Sequence, residues 1–256
     1  MITFTIEGQI GKILLNRPEK FNAFNREMSI LLQDALKECS SNENVRTVYL
    51  SGAGKAFSAG QDLSAAMKPD SPSIEKMVAE QYNPIILGIR NMEKPVVCAV
   101  NGVAAGAGAN IALACDIVVA GKSSSFIQAF SKIGLVPDSG GTYFLPRLVG
   151  LQRATALMML GDKISADEAQ QAGMIYKVFE DIDLEKESWN IAINLSEMAT
   201  RSLGLTKKLL NKSFSNSLEE QLLEEGKLQA EAGKTYDFNE GVKAFLEKRK
   251  AVFKGK

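Results

Sequence analysis

The chain has 256 residues, 45% of them hydrophobic and 23% charged, which suits one large soluble domain with a sizeable core. Its 30 Lys and Arg balance its 30 Asp and Glu, so no global field favours nucleic acid or an anionic membrane surface. There is no histidine, which removes Ser-His and Cys-His nucleophile pairs and nearly all catalytic zinc designs, so a general base must be a carboxylate, Lys, Tyr or Cys.

Residues 2–7 and 10–15 read as a hairpin turned at Glu7-Gly8-Gln9, without the charged-then-apolar layout of a secretory signal. After the loop Asn16–Lys20, Asn25 is expected to cap a helix whose buried face is Met28, Leu31, Leu32, Ala35, Leu36 and Cys39. Val45–Ser51 reads as a buried strand and residues 52–62 as a long loop of small residues. Residues 74–92 repeat the helical spacing through Ile74, Met77, Val78, Tyr82, Ile85, Ile86 and Ile89. Val96–Val100 is an unbroken apolar run, the mark of a strand covered on both faces, and Asn101-Gly102 stops it. Gly106 and Gly108, among alanines, allow close backbone approach, a helix is expected from Asn110, and a second strand at Asp116–Ala120. Alternating strands and helices predict an α/β domain with largely parallel strands.

Beyond about residue 145 helical patterns dominate. Ser165-Ala166-Asp167-Glu168 is a capping box, and the last helix carries Val242, Phe245, Leu246 and Phe253 on one face. No apolar run approaches the ~18 residues of a membrane span. Cys39, Cys98 and Cys115 form no CxxC pair and are expected in the core of a protein from a reducing compartment, taken as cytoplasmic. No metal site is expected.

Two stretches are candidates for chemistry. Gly54–Leu63 and Ala99–Asn110 both follow buried strands and both are rich in Gly and Ala. Neither matches a phosphate loop, and Gly106-Ala-Gly108 is followed by Ile111 where a dinucleotide fingerprint needs Gly or Ala. Each loop can instead offer one backbone N–H to a single oxygen that becomes anionic during a reaction. Two plainer readings stand beside this one: helix-on-sheet packing for Gly106 and Gly108, and a helix cap for Asp62.

The pairing of Lys55-Ala-Phe-Ser-Ala-Gly-Gln-Asp-Leu63 with Ala99-Val-Asn-Gly-Val-Ala-Ala-Gly-Ala-Gly108 resembles the enoyl-CoA hydratase/isomerase (crotonase) superfamily. The likeness continues through Cys115–Gly121, Gly161–Ala169, Gln171–Met174 and Glu240–Arg249, and so covers essentially the whole chain. The fold it implies is a crotonase (ClpP-like) spiral of ββα turns followed by a helical C-terminal region that builds trimers, often stacked as hexamers. Residues 1–195 are expected as the spiral core and 196–256 as the helical region. The implied substrate is an acyl-CoA thioester, with coenzyme A as part of the substrate and no separate cofactor. By position, the thioester oxygen would sit between the amides of Gln61 and Ala107, beside Gly106 and Gly108. Lys20, Phe21 and Ala23, with Ala59, Gly60, Asp62 and Leu63, would lie along the CoA.

Hydratases of the family use two glutamates, and the matching positions here are Asn110 and Phe130, so ordinary hydration is not expected. An acid reappears in Gly134-Leu-Val-Pro-Asp138-Ser-Gly-Gly-Thr142. That segment resembles the family's ring 1,2-epoxyphenylacetyl-CoA isomerases and related Δ3,Δ2-enoyl-CoA isomerases, in which an acid at this place moves a proton within the substrate. Asp138 is therefore the expected proton shuttle, with Phe130, Val136 and Pro137 lining an apolar acyl pocket that raises its pKa. Pro-Asp-Ser-Gly-Gly is also good turn-to-helix chemistry, so a capping role for Asp138 stays open. Three further readings remain: a dehalogenase, weakened by the absence of histidine; a weak hydratase; and a non-catalytic acyl-CoA- or RNA-binding member.

Overall fold

The computed structural model describes residues 1–256. A six-stranded sheet runs β1 (Ile2–Glu7), β2 (Ile10–Leu15), β3 (Thr47–Gly52), β5 (Val96–Val100), β7 (Ile117–Gly121) and β10 (Lys177–Phe179) in that spatial order. Only β1 is antiparallel to its neighbour, with Ile2 opposite Leu15 and Glu7 opposite Ile10, as a hairpin at Gly8 requires. A smaller sheet holds β4 (Ala56–Ser58), β6 (Val103–Ala105), β8 (Ser125–Ile127) and β9 (Lys163–Ser165). β3, β5 and β7 each hand the chain directly to β4, β6 and β8, so the chain winds as a spiral between the two sheets.

The apolar run in β5 explains why both faces of the large sheet are covered. Val96, Cys98 and Val100 point into the main core with Phe24, Met28, Leu32, Phe57 and Ile111. Val97 and Ala99 point the other way, against Tyr49, Val119, Leu184 and Ala192. The three cysteines are free and buried.

Helices fill the spiral's turns. Asn25 caps α1 (Arg26–Ser41) by accepting from the Met28 amide at 2.9 Å, as its position in the sequence suggests. α2 (Leu63–Ala66) follows β4. Residues 74–92 are not one regular helix but α3 (Ile74–Met77), a π turn (Val78–Tyr82) and α4 (Asn83–Asn91). Pro84 has no N–H for the ladder and its ring would meet the carbonyl four residues back, and the widened turn absorbs both faults. α5 (Ala107–Leu113) begins at Ala107 rather than Asn110. α6 (Gly141–Val149), α7 (Leu151–Leu160) and α8 (Ala166–Gln171) lead to β10, and Ser165 and Glu168 form the expected capping box. α9 (Leu184–Ser196) covers the outer face of the large sheet. The chain is then helical through α10 (Thr200–Lys212), α11 (Leu218–Ala232) and α12 (Tyr236–Leu246).

Candidate active site

The first candidate loop is built where β4 ends. Gly60 sits at φ +85°, a left-handed conformation that bends the chain back on itself. Residues 59–62 are stitched to residues 21–24: Ala59 donates to Phe21 (2.9 Å), Phe24 to Gly60 (2.7 Å) and Asp62 to Phe24 (2.8 Å). This bridge uses the amides of Phe24 and Asp62 and leaves that of Gln61 outside the ladder. The strut that holds the two stretches together is Asn22. Fully buried and at φ +54°, it donates to the carbonyls of Ala53 (2.9 Å) and Ala56 (2.8 Å) and accepts from the Arg17 amide (2.8 Å). The sequence reading passed over Asn22. Its signal was only a polar residue inside the loop Lys20–Phe24.

Lys20, Phe21, Ala59 and Leu63 are exposed on this rim, whereas Ala23 and Gly60 are buried beneath it. Asp62 is placed differently from a substrate contact. Its carboxylate turns inward, caps α2 by accepting from the Ala65 amide (3.2 Å), accepts from Ser64 Oγ (2.5 Å) and pairs with Arg17 (2.8 Å). The Ser64 hydrogen bond, followed by those from Arg17 and Ala65, holds its pKa down at about 2. The cap reading of Asp62 is thus the one that the geometry shows.

The second loop lies against the first. Gly106, at φ +51°, donates its amide to Ile127 (2.9 Å) and turns the chain from β6 into α5. Ala107 is the first residue of α5, where an N–H has no intrahelical acceptor. A Cβ on Gly60 would lie 2.7 Å from the Ala105 carbonyl oxygen and 3.5 Å from the Ala107 nitrogen, so the two loops are pressed together. A Cβ on Gly108 would lie 2.6 Å from Ser58 Cβ, so this glycine also lets α5 close on β4. Close packing of the two loops and of α5 on β4 is thus served by these small residues.

Asp138 lies between Pro137 and the buried Ser139, ahead of α6. It does not cap that helix: Gly140, at φ +72°, takes the N-cap position without a side-chain bond, and Asp138 contributes only its carbonyl, to the Gly141 amide (2.9 Å). Its carboxylate accepts from Ser139 Oγ at 2.8 Å and has no cationic partner within salt-bridge distance. Burial raises its pKa, against the opposing pull of the Ser139 hydrogen bond.

Phe130 fills space beside the second loop. Its ring lies 3.7 Å from where a Cβ on Gly106 would be, and it is 7% exposed. Val136 does not line an enclosed pocket: it is 82% exposed, and Pro137 is half-buried. The 3-10 turn Ala129–Ile133 ends at left-handed Gly134, which sends residues 134–136 across the surface before the chain turns in at Asp138. A polar cavity of about 230 Å³ lies beside Gln61, between Asn25, Arg26, Lys68, Asp70 and Met77.

Tyr82 is a further residue at this place that sequence reasoning counted only as core. The π turn aims its hydroxyl at Gln61 Oε1, to which it donates, while its ring stacks edge-on against Phe24. Burial, and next the charge of Asp138, push its pKa well up. A tyrosine on an otherwise apolar helical face is the signal that could have found it. The arrangement as a whole presses the loops of Gln61 and Ala107 together and adds one half-buried carboxylate whose pKa burial raises.

The family model for enoyl-CoA hydratase/isomerase matches residues 5–256. A 1,2-epoxyphenylacetyl-CoA isomerase of Escherichia coli is 44% identical over 254 residues, covering 98% of this chain and 97% of that one. A protein of Rhodobacter capsulatus named a probable enoyl-CoA hydratase is 41% identical, covering 100% and 98%. The crystal structure of an enoyl-CoA hydratase from Polaromonas superposes with a TM-score of 0.91 at 35% identity, covering 98% of this chain and 99% of that one. The two-sheet spiral with its helical C-terminal region is the crotonase fold, and the chain belongs to the enoyl-CoA hydratase/isomerase family.

Proposed function

We propose that the protein is an acyl-CoA isomerase that shifts a double bond, or opens a ring epoxide, within a CoA thioester. The observation that carries this reading is Asp138: a carboxylate with a raised pKa, free of any cation and of any capping duty, while Asn110 and Phe130 supply no second acid. Water addition needs one group to activate water and another to protonate carbon, whereas a proton moved within one molecule needs a single carboxylate. The E. coli relative's name lends the ring-epoxide version its support, and the reading extends to this chain on that likeness.

In the proposed reaction the thioester oxygen lies between the amides of Gln61 and Ala107. Asp138 takes a proton from a carbon conjugated with the thioester, and the electron pair is delocalised onto the oxygen. The same carboxyl returns the proton to another carbon, and the double bond moves. With a ring epoxide, Asp138 takes the proton from the carbon that joins the thioester to the ring. The electron pair of the enolate held by the two amides forms a double bond to the ring and breaks the adjacent C–O bond of the epoxide, and the carboxyl returns its proton to the released oxygen. Backbone amides suit this task because they are already oriented when the charge appears.

Asp138→Asn tests the reading. It keeps size and loses only the capacity to take a proton. Turnover on a panel of 3-enoyl and ring-epoxide thioesters should fall about 10²–10⁴-fold, with the affinity for a saturated acyl-CoA little changed. Near-wild-type turnover by the folded variant would sink the mechanism. Hydration of crotonyl-CoA at a rate above isomerisation would favour the hydratase reading that the Rhodobacter capsulatus relative's name suggests.

A further inference from the structure

Asn110 stands where the family's hydratases keep a glutamate, but it is not an empty replacement. It is fully buried, and both ends of its amide are engaged. Nδ2 donates to the Asp138 carbonyl at 2.8 Å, and Oδ1 accepts from Gln128 Nε2 at 2.8 Å. With no exposed surface and both ends occupied, the side chain is not placed to touch substrate directly.

Four observations indicate that this link restrains the Asp138 loop rather than merely filling the core. The loop needs restraint: Ser139 has φ +51° and Gly140 φ +72°, a pair of left-handed residues of which one carries a side chain. The link has priority over packing and over polar satisfaction nearby. A Cβ at position 141 would collide with the Asn110 amide, so only glycine opens α6 here. Gln128, 3% exposed, leaves its own Oε1 without a partner while it directs Nε2 to Asn110, an arrangement that is unfavourable by itself. Ala107 and Asn110 are also three residues apart on α5, hence on one face of one short rigid element. The amide proposed to hold the oxygen and the residue that holds Asp138 are therefore fixed relative to each other.

We propose that Asn110, oriented by Gln128, is the positioning residue that sets the distance between the Asp138 carboxyl and the oxygen-binding amides. The proposal rests on the reading of Asp138 as the proton shuttle. Asn110 then has its own task in place of a hydratase's glutamate: it anchors the acid carried on another loop.

Asn110→Asp tests this while keeping the side chain's shape and its acceptor for Gln128; it deletes the donor to the Asp138 carbonyl and, when ionised, sets a negative charge against that carbonyl. At pH 8 the turnover number should fall at least tenfold, with the dissociation constant of butyryl-CoA within about twofold of wild type, because the amides are not displaced. As the pH is lowered the new carboxyl becomes protonated and regains a donor. The ratio of variant to wild-type turnover should then rise, which a packing defect alone would not produce. Gln128→Met is the second variant. It removes the orienting donor and the unpartnered Oε1 together, and leaves Asn110 Oδ1 without a donor in exchange, so it should fold about as well as wild type and still turn over three- to tenfold more slowly. Wild-type turnover in either folded variant, or butyryl-CoA affinity lost in proportion to turnover, overturns the proposal. Asp138→Asn, measured alongside, separates the two failures: if that variant is active, the reading of the shuttle is what falls.

Discussion

Asp138 is half-buried in a place that offers its charge the Ser139 hydroxyl, its own backbone amide and no cation, and this has a consequence for stability as well as for rate. Its native pKa lies above the value of 3.8 that it has when solvated, so the folded state holds the proton at pH values where the unfolded state has released it. Stability therefore falls as pH rises from 3.8 through the raised native value, and above both the full penalty is present. Asp138→Asn should abolish that penalty. The variant is expected to melt higher than wild type at pH 7, with the gap closing as pH approaches 3.5, measured by thermal unfolding across pH. An equal or lower melting temperature at pH 7 would mean that the carboxylate is better solvated than its surroundings indicate. For the same reason the acidic limb of kcat/KM should lie above the ordinary aspartate range. Asp62 shows the opposite pattern, since Ser64 and Arg17 hold its pKa at about 2 and the stability it contributes is lost only as pH falls below 3.8 towards 2.

The two glycines of the second loop are needed for different reasons, which makes them separable by mutation. Gly106 has a positive φ of +51° but room for a Cβ, which would rest in ordinary contact with the Phe130 ring at 3.7 Å. Gly108 has no such φ, but a Cβ would stand 2.6 Å from that of Ser58 and 2.8 Å from its carbonyl oxygen. Gly106→Ala should cost about 1–3 kcal/mol, because φ +51° with ψ −125° lies outside the left-handed helical well and strains any L side chain, with the fold retained. Gly108→Ala should cost roughly 1–3 kcal/mol from overpacking, and by prising α5 from β4 it should reduce turnover more than Gly106→Ala does. Chemical denaturation and steady-state rates on the pair would check the order. Elements governed by local pattern were legible in the sequence: the β1–β2 hairpin, the Asn25 cap, the apolar strand 96–100 and the Ser165 capping box. β4 and β6 were not, because three-residue strands are too short to show a period. The π turn was missed although Pro84 is there to cause it, because the apolar spacing runs through it unbroken. Asp138 was legible as a candidate acid only by resemblance, and its local context suggested a cap that Gly140 in fact provides. The Asn110–Asp138 and Asn22–Ala56 links join residues 28 and 34 positions apart, and no local signal announces such contacts.

The C-terminal helices are bound to the spiral by polar anchors, yet leave an apolar face without a partner. Lys207, on α10, donates to Asp116 (2.7 Å) and to the Ile89 carbonyl (2.6 Å), and Arg90 grips the other Asp116 oxygen (2.9 Å). Asp237 holds the chain's end by accepting from the amides of Lys254 (2.6 Å) and Gly255 (2.7 Å), while Arg46 donates to the Phe253 carbonyl (3.0 Å). With so many buried contacts to their own chain, α10 and α12 are fixed in place. Between them and α11 lies a cavity of about 650 Å³ lined by residues such as Leu209, Phe238 and Val242, and beside it Phe245 and Leu246 stand 83% and 74% exposed. An apolar face of this kind on rigidly held helices is suited to a different face of a second copy, the heterologous contact from which a closed ring of three is built. The expected assembly is a trimer or a dimer of trimers, with light scattering at micromolar concentration giving about three or six times the 27.7 kDa chain mass. Phe245→Glu, on a side chain that touches little of its own chain, should lower the assembled fraction without lowering the monomer's helix content. A wild-type monomer would reject the assembly. An assembled Phe245→Glu variant of unchanged size would move the interface elsewhere on the molecule.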